Sequence, residues 1–521
     1  MKVLFVLNKP ERELEIMDKV INWMVQKEPK TTIKILDFRE DRFISKILEF
    51  SPNIIFTFPF TAYPVSAPFY IVKYLLNCYI VCFTTEGLLQ FNSEKQIKSH
   101  IGFDQYGNNI ADYELVWGKK VAESAAKELM KKNKISSLER VKAFGYPNYE
   151  PYFNDKDTAT FDILPILKSK IDDYPKENTL FFITGFAFAD YKKEDIIRAG
   201  DMFDVNDKEN FKCRLEKTMN IAKECATLRS LWIEKIIEIA ETHPEVLIIV
   251  KSHPVENIMN TRIGIDRYEV FKNYRNIAYI SEPARIIDII PFCSVFFHYG
   301  STTAAESYLL KIPSVLISAK KIEDRDLKLP SKKTINIFDL PDTVREHLTS
   351  PLKFEEIKEI EDILSGAFNI NKEHLYKKTP YLPSKDIAEF LLSLKDDTPQ
   401  QISASDPYLT KAVKMQGKEA IHYLLNAGSK YFETQEYSSA LKVFNNALSL
   451  SNSIGLIITG LHYACAMCFL KNGNYDLTEK ALLNELAINP THKQSIDTLK
   501  AINTSQCLTN KQSLYSVYPI I

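Results

Sequence analysis

Along the first 150 residues, short continuously apolar runs alternate with stretches whose apolar positions recur at helical spacing. The runs at 3–7, 32–38, 54–58, 79–83, 115–117 and 140–144 predict strands, and the periodic stretches near 14–26, 42–50 and 119–131 predict helices. Strands that are apolar on both faces leave no side for solvent, so the series implies a parallel sheet covered by helices above and below. A first Rossmann-like domain is therefore expected over residues 1–150.

The pattern breaks at Gly145-Tyr146-Pro147-Asn148 and in the polar, Asp- and Lys-rich stretch that runs to about Glu177. It resumes with strand-like runs at 180–184, 246–250, 276–280, 295–298 and 314–317, a long helix near 216–242 and a shorter one over 303–310. A second Rossmann-like domain is expected over residues 176–395. Two such units enclose a cleft, and in open α/β sheets the ligand lies beyond the carboxyl ends of the strands.

Residues 396–407 have linker composition, with Asp397, Thr398, Pro399, Gln400, Gln401, Ser403 and Ser405. The chain then becomes all helical over 408–505, and a motif occurs twice. Leu424, Gly428, Tyr431, Tyr437, Ala440, Phe444 and Ala447 form the first copy; Ala466, Phe469, Tyr475, Leu482 and Pro490 form the second. This is the spacing of a tetratricopeptide repeat. Ala440 and Thr478 lie 38 residues apart, longer than the usual ~34, which implies an extended turn between copies. Thr478 and Glu485 stand where alanines are customary and weaken the second copy; a generic helical hairpin bundle is the alternative. Two repeats bury little surface alone, so the module should pack on the α/β part or on a second subunit, and a protein partner or self-association is expected to engage it.

The composition is that of an ordinary soluble protein, with 45% hydrophobic and 26% charged residues. A net charge of −1 leaves no global basic field, so nucleic acid is not an expected partner. Of eight cysteines Cys465 and Cys468 are the closest together, and without paired Cys motifs or histidines at ligand spacing they read as packing residues rather than a zinc site. No metal and no cofactor are expected. The region 54–83 is apolar enough to raise a membrane question, but Pro59, Pro64, Pro68, Lys73 and Asn77 interrupt it; it reads as strand, turn, helix, strand. A strand at the very start, with no charged leader, points to a cytoplasmic protein, with peripheral attachment at the inner face of the membrane as a variant.

Three strand ends carry the candidate chemistry. In Phe297-His298-Tyr299-Gly300-Ser301-Thr302-Thr303 an apolar run stops in a small polar turn that opens a helix, aiming free N–H groups, hydroxyls and a helix dipole at one spot, as phosphate sites do. A plain helix cap is the bland reading. Upstream, a strand ends in Lys251-Ser252-His253-Pro254, and in the first unit another ends in Thr84-Thr85-Glu86-Gly87. His243-Pro244 precedes its strand, on the opposite sheet edge, and serves as an internal control.

In order and position these motifs resemble GT-B glycosyltransferases, and among them the bacterial enzymes that use CMP-activated sialic acid or Kdo and the surface carbohydrate biosynthesis proteins, over residues 1–395. The resemblance implies a nucleotide-sugar donor, a glycan or lipid-linked glycan acceptor, and a transferase acting in surface polysaccharide biosynthesis. It assigns Glu86 the part of general base or sugar-positioning carboxylate, although Thr85 stands where the pattern often has a second acid; a helix-start carboxylate is the alternative. By the same resemblance His253 contacts the donor phosphate, Gly300, Ser301, Thr302 and Thr303 hold it, and Glu306 meets the ribose, or is simply an exposed helix carboxylate. Lys251 adds a charge to the site or is a solvated strand-end lysine. Asp190, in the loop after the 180–184 strand, is a second catalytic candidate. A CDP-polyol phosphotransferase or nucleotide-sugar epimerase of the same fold, and a non-catalytic scaffold acting through the repeats, are the alternatives.

Overall fold

The structure is a computed structural model that describes residues 1–8, 10–59, 63–84, 110–117, 119–131, 138–153, 165–186, 189–194, 208–254, 256–257, 260, 264–281, 284–298, 303, 306, 312, 314–316, 382–399 and 401–504. The two-sided apolar runs pair in parallel, as expected. The first sheet holds β1 (Lys2–Leu7), β2 (Thr32–Asp37), β3 (Ile54–Thr57), β4 (Tyr79–Phe83), β5 (Tyr113–Val116) and β6 (Val141–Ala143) in the order β2-β1-β3-β4-β5-β6. Side chains alternate between its faces. Val3 and Phe5 enter one core with α1 (Pro10–Lys27) and α4 (Lys119–Lys131), while Leu4 and Val6 enter another with α2 (Phe43–Phe50) and α3 (Tyr63–Leu76). The apolar region 54–83 is β3, α3 and β4, and among the described residues no helix is long and apolar enough to cross a membrane.

The second sheet holds β7 (Thr179–Ile183), β8 (Leu247–Lys251), β9 (Ile277–Ile280), β10 (Val295–His298) and β11 (Ser314–Leu316), with α5 (Lys208–Thr242) on one face. Its order is β11-β10-β7-β8-β9, all parallel. Read from β9, this is the 3-2-1-4-5 arrangement of dinucleotide-binding folds, whereas the first sheet follows the other doubly wound order.

Helix α6 (Pro383–Ser393), which follows the second unit in sequence, lies against α1 of the first. Ile387, Ala388 and Leu391 are buried in the first unit's core, and Glu150 Oε1 accepts from Ser384 N at 2.7 Å. The linker ends in a cap: Asp406 accepts from Tyr408 N and Leu409 N, with Pro407 at the first helical position. Beyond it α7 (Pro407–Glu433), α8 (Tyr437–Ser453), α9 (Leu461–Lys471), α10 (Tyr475–Ile488) and α11 (Lys493–Thr504) each pack on the next. Residues 454–460 form the longer turn between α8 and α9 that the 38-residue spacing required, with Gly455 and Gly460 at positive φ.

Of the two placements expected for these helices, the structure shows packing on the α/β part. Leu409, Val413, Ala420 and Leu424 share one continuous core with Val65, Phe69 and Val72 of α3. Glu419 accepts from Ser45 N at 2.8 Å, and Tyr74 OH meets Ser449 Oγ at 2.7 Å. Cys465 and Cys468 are buried in the same core, consistent with packing residues.

Candidate functional site

Strand order reverses between β7 and β10, and in open α/β sheets such a switch point, at the carboxyl ends of the strands, is where ligands bind. The last rung of the sheet runs across that edge. Leu316 pairs with His298, His298 stands one step beyond the Phe297–Phe182 pair and so beside Ile183, and Ile183 pairs with Lys251. By alternation Lys251 projects to the same face as Leu247 and Ile249, and His298 to the same face as Phe296, whose ring it stacks on at 5.3 Å. One face of the rung thus carries a lysine and a histidine.

Lys251 is only 4% exposed, so the reading of it as a solvated strand-end lysine does not hold. Burial pulls its ammonium below the usual lysine range, and the negative charge of Glu306 opposes that pull. Its Nζ makes one long contact, 3.4 Å, with the Ser252 carbonyl oxygen. Thr303 is buried and Glu306 half-buried, and Glu306 N donates to Thr303 O at 3.0 Å. The charge of Glu306 is thus felt at Lys251, which brings near each other two strand-end motifs that lie far apart in sequence. His298 is also buried, and desolvation lowers its imidazole to about 4, which keeps it neutral near pH 7.

After β8 the chain turns at His253 into a helical turn opened by Pro254. His253 is half-buried, and its backbone N donates to Thr184 Oγ1 at 2.9 Å and to Glu256 Oε2 at 3.2 Å. Glu256, 2% exposed, also accepts from the hydroxyls of Thr184 and Tyr268. Burial pushes its carboxyl up against these bonds and the nearby Arg229 charge. The control motif behaves differently: His243 follows α5 at the amino end of β8, where Asn276 Nδ2 binds its carbonyl.

Asp190 is held by Arg229 of α5 through both guanidinium branches, one at 2.8 Å, and this pair keeps its carboxyl below the usual range. That geometry ties the loop after β7 to the helix layer and leaves little basicity for proton abstraction. In the first unit, Thr84 O accepts from Trp117 Nε1 at 2.6 Å, and Tyr146 stacks on Trp117 at 4.0 Å, which anchors the chain as it leaves β4. Glu86, Gly300, Ser301 and Thr302 lie outside the described residues.

Sequence reasoning passed over Thr184, Glu256, Asn257, Tyr268 and His298. Glu256 had one local signal, since it falls three residues after His253 with the spacing of a capping box. The others acquire their neighbours only through sheet order.

No family model matches the chain, and no curated protein matches it. Solved structures do. UDP-GlcNAc 2-epimerase of Methanocaldococcus jannaschii, in complex with UDP-GlcNAc and UDP, is 14% identical with a TM-score of 0.41, covering 75% of this chain and 100% of that one. The wall teichoic acid polymerase TagF is 11% identical with a TM-score of 0.38 over 75% and 88%. E. coli ADP-heptose LPS heptosyltransferase II is 10% identical with a TM-score of 0.25 over 61% and 86%.

Proposed function

We propose that the protein is a glycosyltransferase that binds a nucleotide-sugar donor at the β7/β10 switch point and moves its sugar to a surface-glycan acceptor. The observation that supports this reading is the position of Lys251, His253, Thr303 and Glu306 at or just beyond the carboxyl ends of β8 and β10 in the second sheet. A buried ammonium, a helix start and an imidazole together supply what a departing nucleotide needs, because its phosphate gains negative charge in the transition state. These groups give the positive charge without a metal, so transfer should survive EDTA. Glu86 supplies the carboxylate on the first unit, and the sequence resemblance makes a CMP-linked ulosonic acid the first donor to test. The helical repeats bind a partner protein rather than the donor.

The test is a transfer and hydrolysis screen with CMP-, CDP-, UDP- and GDP-linked donors. Turnover of a CMP-sugar, lost in Glu86→Gln and His253→Ala with thermal stability retained, is the expected result. Turnover of UDP- or GDP-sugars alone would overturn the donor assignment; release of an epimer, or transfer of a polyol phosphate, would replace glycosyl transfer with those reactions. Full activity in both variants would remove the site.

A further inference from the structure

A glutamate three residues after an N-cap commonly reaches back to the N-cap N–H from the surface, and an exposed side chain closes that bond as well as a buried one. Glu256 differs. It is buried, and its carboxylate takes donors from three separate segments: the Thr184 hydroxyl at the end of β7, the His253 amide at the end of β8, and the Tyr268 hydroxyl. Burying a carboxylate is costly unless its lone pairs are filled, and here they are filled by groups that surround the His253 turn.

Thr184 is the telling member. A hydroxyl has one proton to give and lone pairs to receive. Its proton goes to Glu256, which turns a lone pair toward the His253 N–H at 2.9 Å. On the other flank Asn257 accepts from the Ser252 hydroxyl and donates to the Ser281 carbonyl at the end of β9. The turn is thus clamped to β7 on one side and to β9 on the other, with the half-buried His253 between.

Resting on the reading that His253 meets the donor phosphate, we propose that Glu256 is a positioning residue, which through Thr184 and the His253 amide fixes the imidazole where the leaving nucleotide's phosphate will lie. Glu256 itself does not touch the donor.

The experiment is calorimetric titration of CMP, CDP and UDP into the full chain, with thermal midpoints recorded for each variant. His253→Ala should weaken the tightest-binding nucleotide by about 10-fold or more, the scale of one hydrogen bond to a charged group. Glu256→Ala and Thr184→Val should each weaken it several-fold, on the order of one neutral hydrogen bond. In the His253→Ala background Glu256→Ala should add nothing, because no imidazole remains to be aimed. Glu256→Gln, whose amide oxygen still accepts from Thr184, should recover most of the affinity.

Full additivity of Glu256→Ala with His253→Ala would make Glu256 a merely structural residue and overturn the proposal. So would wild-type affinity in both Glu256→Ala and Thr184→Val. If Glu256→Ala fails to fold, Thr184→Val carries the same cycle. Unchanged affinity in His253→Ala, or no binding of any of the three nucleotides by the wild type, would instead bring down the donor-site reading.

Discussion

His298 closes the apolar strand β10, and the sequence presents it as the polar tail of a run ending in a loop. In the fold it is 4% exposed and lies against Phe296. Its pKa falls from 6.5 to about 4 because burial removes the solvation that the charged imidazolium would need. Between those two values the unfolded chain takes up a proton that the folded chain refuses. The stability contributed by neutral His298 is thus complete above about pH 6.5 and lost as pH falls through about 4, a swing of roughly 3 kcal/mol. Urea unfolding of wild type and His298→Gln at pH 7 and pH 4.5 measures it. The stability gap between the two proteins should narrow by about 2–3 kcal/mol at the lower pH, and a gap independent of pH would show that the imidazole is solvated. Lys251 teaches a related lesson. At a strand end it reads as solvated, because nothing local says that it will be buried with the charge of Glu306 near.

Elements were more legible than residues. Strands apolar on both faces fit only the inside of a parallel sheet, so β1 to β11 could be placed to within a residue or two from their runs. In the helical part, Gly428 had a readable purpose: a Cβ there would sit 2.5 Å from the Phe444 ring, so α7 and α8 approach closely only because it is absent. Glu485, which departs from the repeat pattern in the second copy, has a structural part of its own. It is 0% exposed and reaches from α10 to the start of α9, where it accepts from Gly460 N at 2.6 Å and His462 N at 3.1 Å. Those N–H groups have no partner within their own helix, so the carboxylate caps α9 from a neighbouring helix. Glu485→Ala should cost about 2 kcal/mol in urea unfolding, the scale of hydrogen bonds to a charged acceptor. Glu485→Gln keeps one acceptor oxygen and should cost less. A loss below about 0.5 kcal/mol in the alanine variant would place it among ordinary surface substitutions.

At the scale of the whole molecule, sequence order and spatial order part company. Residues 383–393 follow the second unit in the chain but are buried against α1 of the first, and the helical part shares its core with α3. Neither arrangement is written in local periodicity, since each depends on which apolar faces are left uncovered once the sheets have formed. The shared core has a consequence for unfolding. If α7 fills the layer over α3, damage to α7 must loosen the first sheet while leaving the second, whose core is built with α5. The chain's three tryptophans fall conveniently, with Trp23 and Trp117 in or beside the first core and Trp232 in the second. A protein carrying Trp23→Phe and Trp232→Phe reports the first unit through Trp117; one carrying Trp23→Phe and Trp117→Phe reports the second through Trp232. Leu424→Ala removes a buried side chain of α7 and should cost about 2–5 kcal/mol. In the Trp117 reporter the fluorescence midpoint should fall accordingly, and in the Trp232 reporter it should stay where it was. An unmoved Trp117 transition would mean that the helical part folds apart from the sheet it rests on, and an equal fall in both would make the entire chain one cooperative unit.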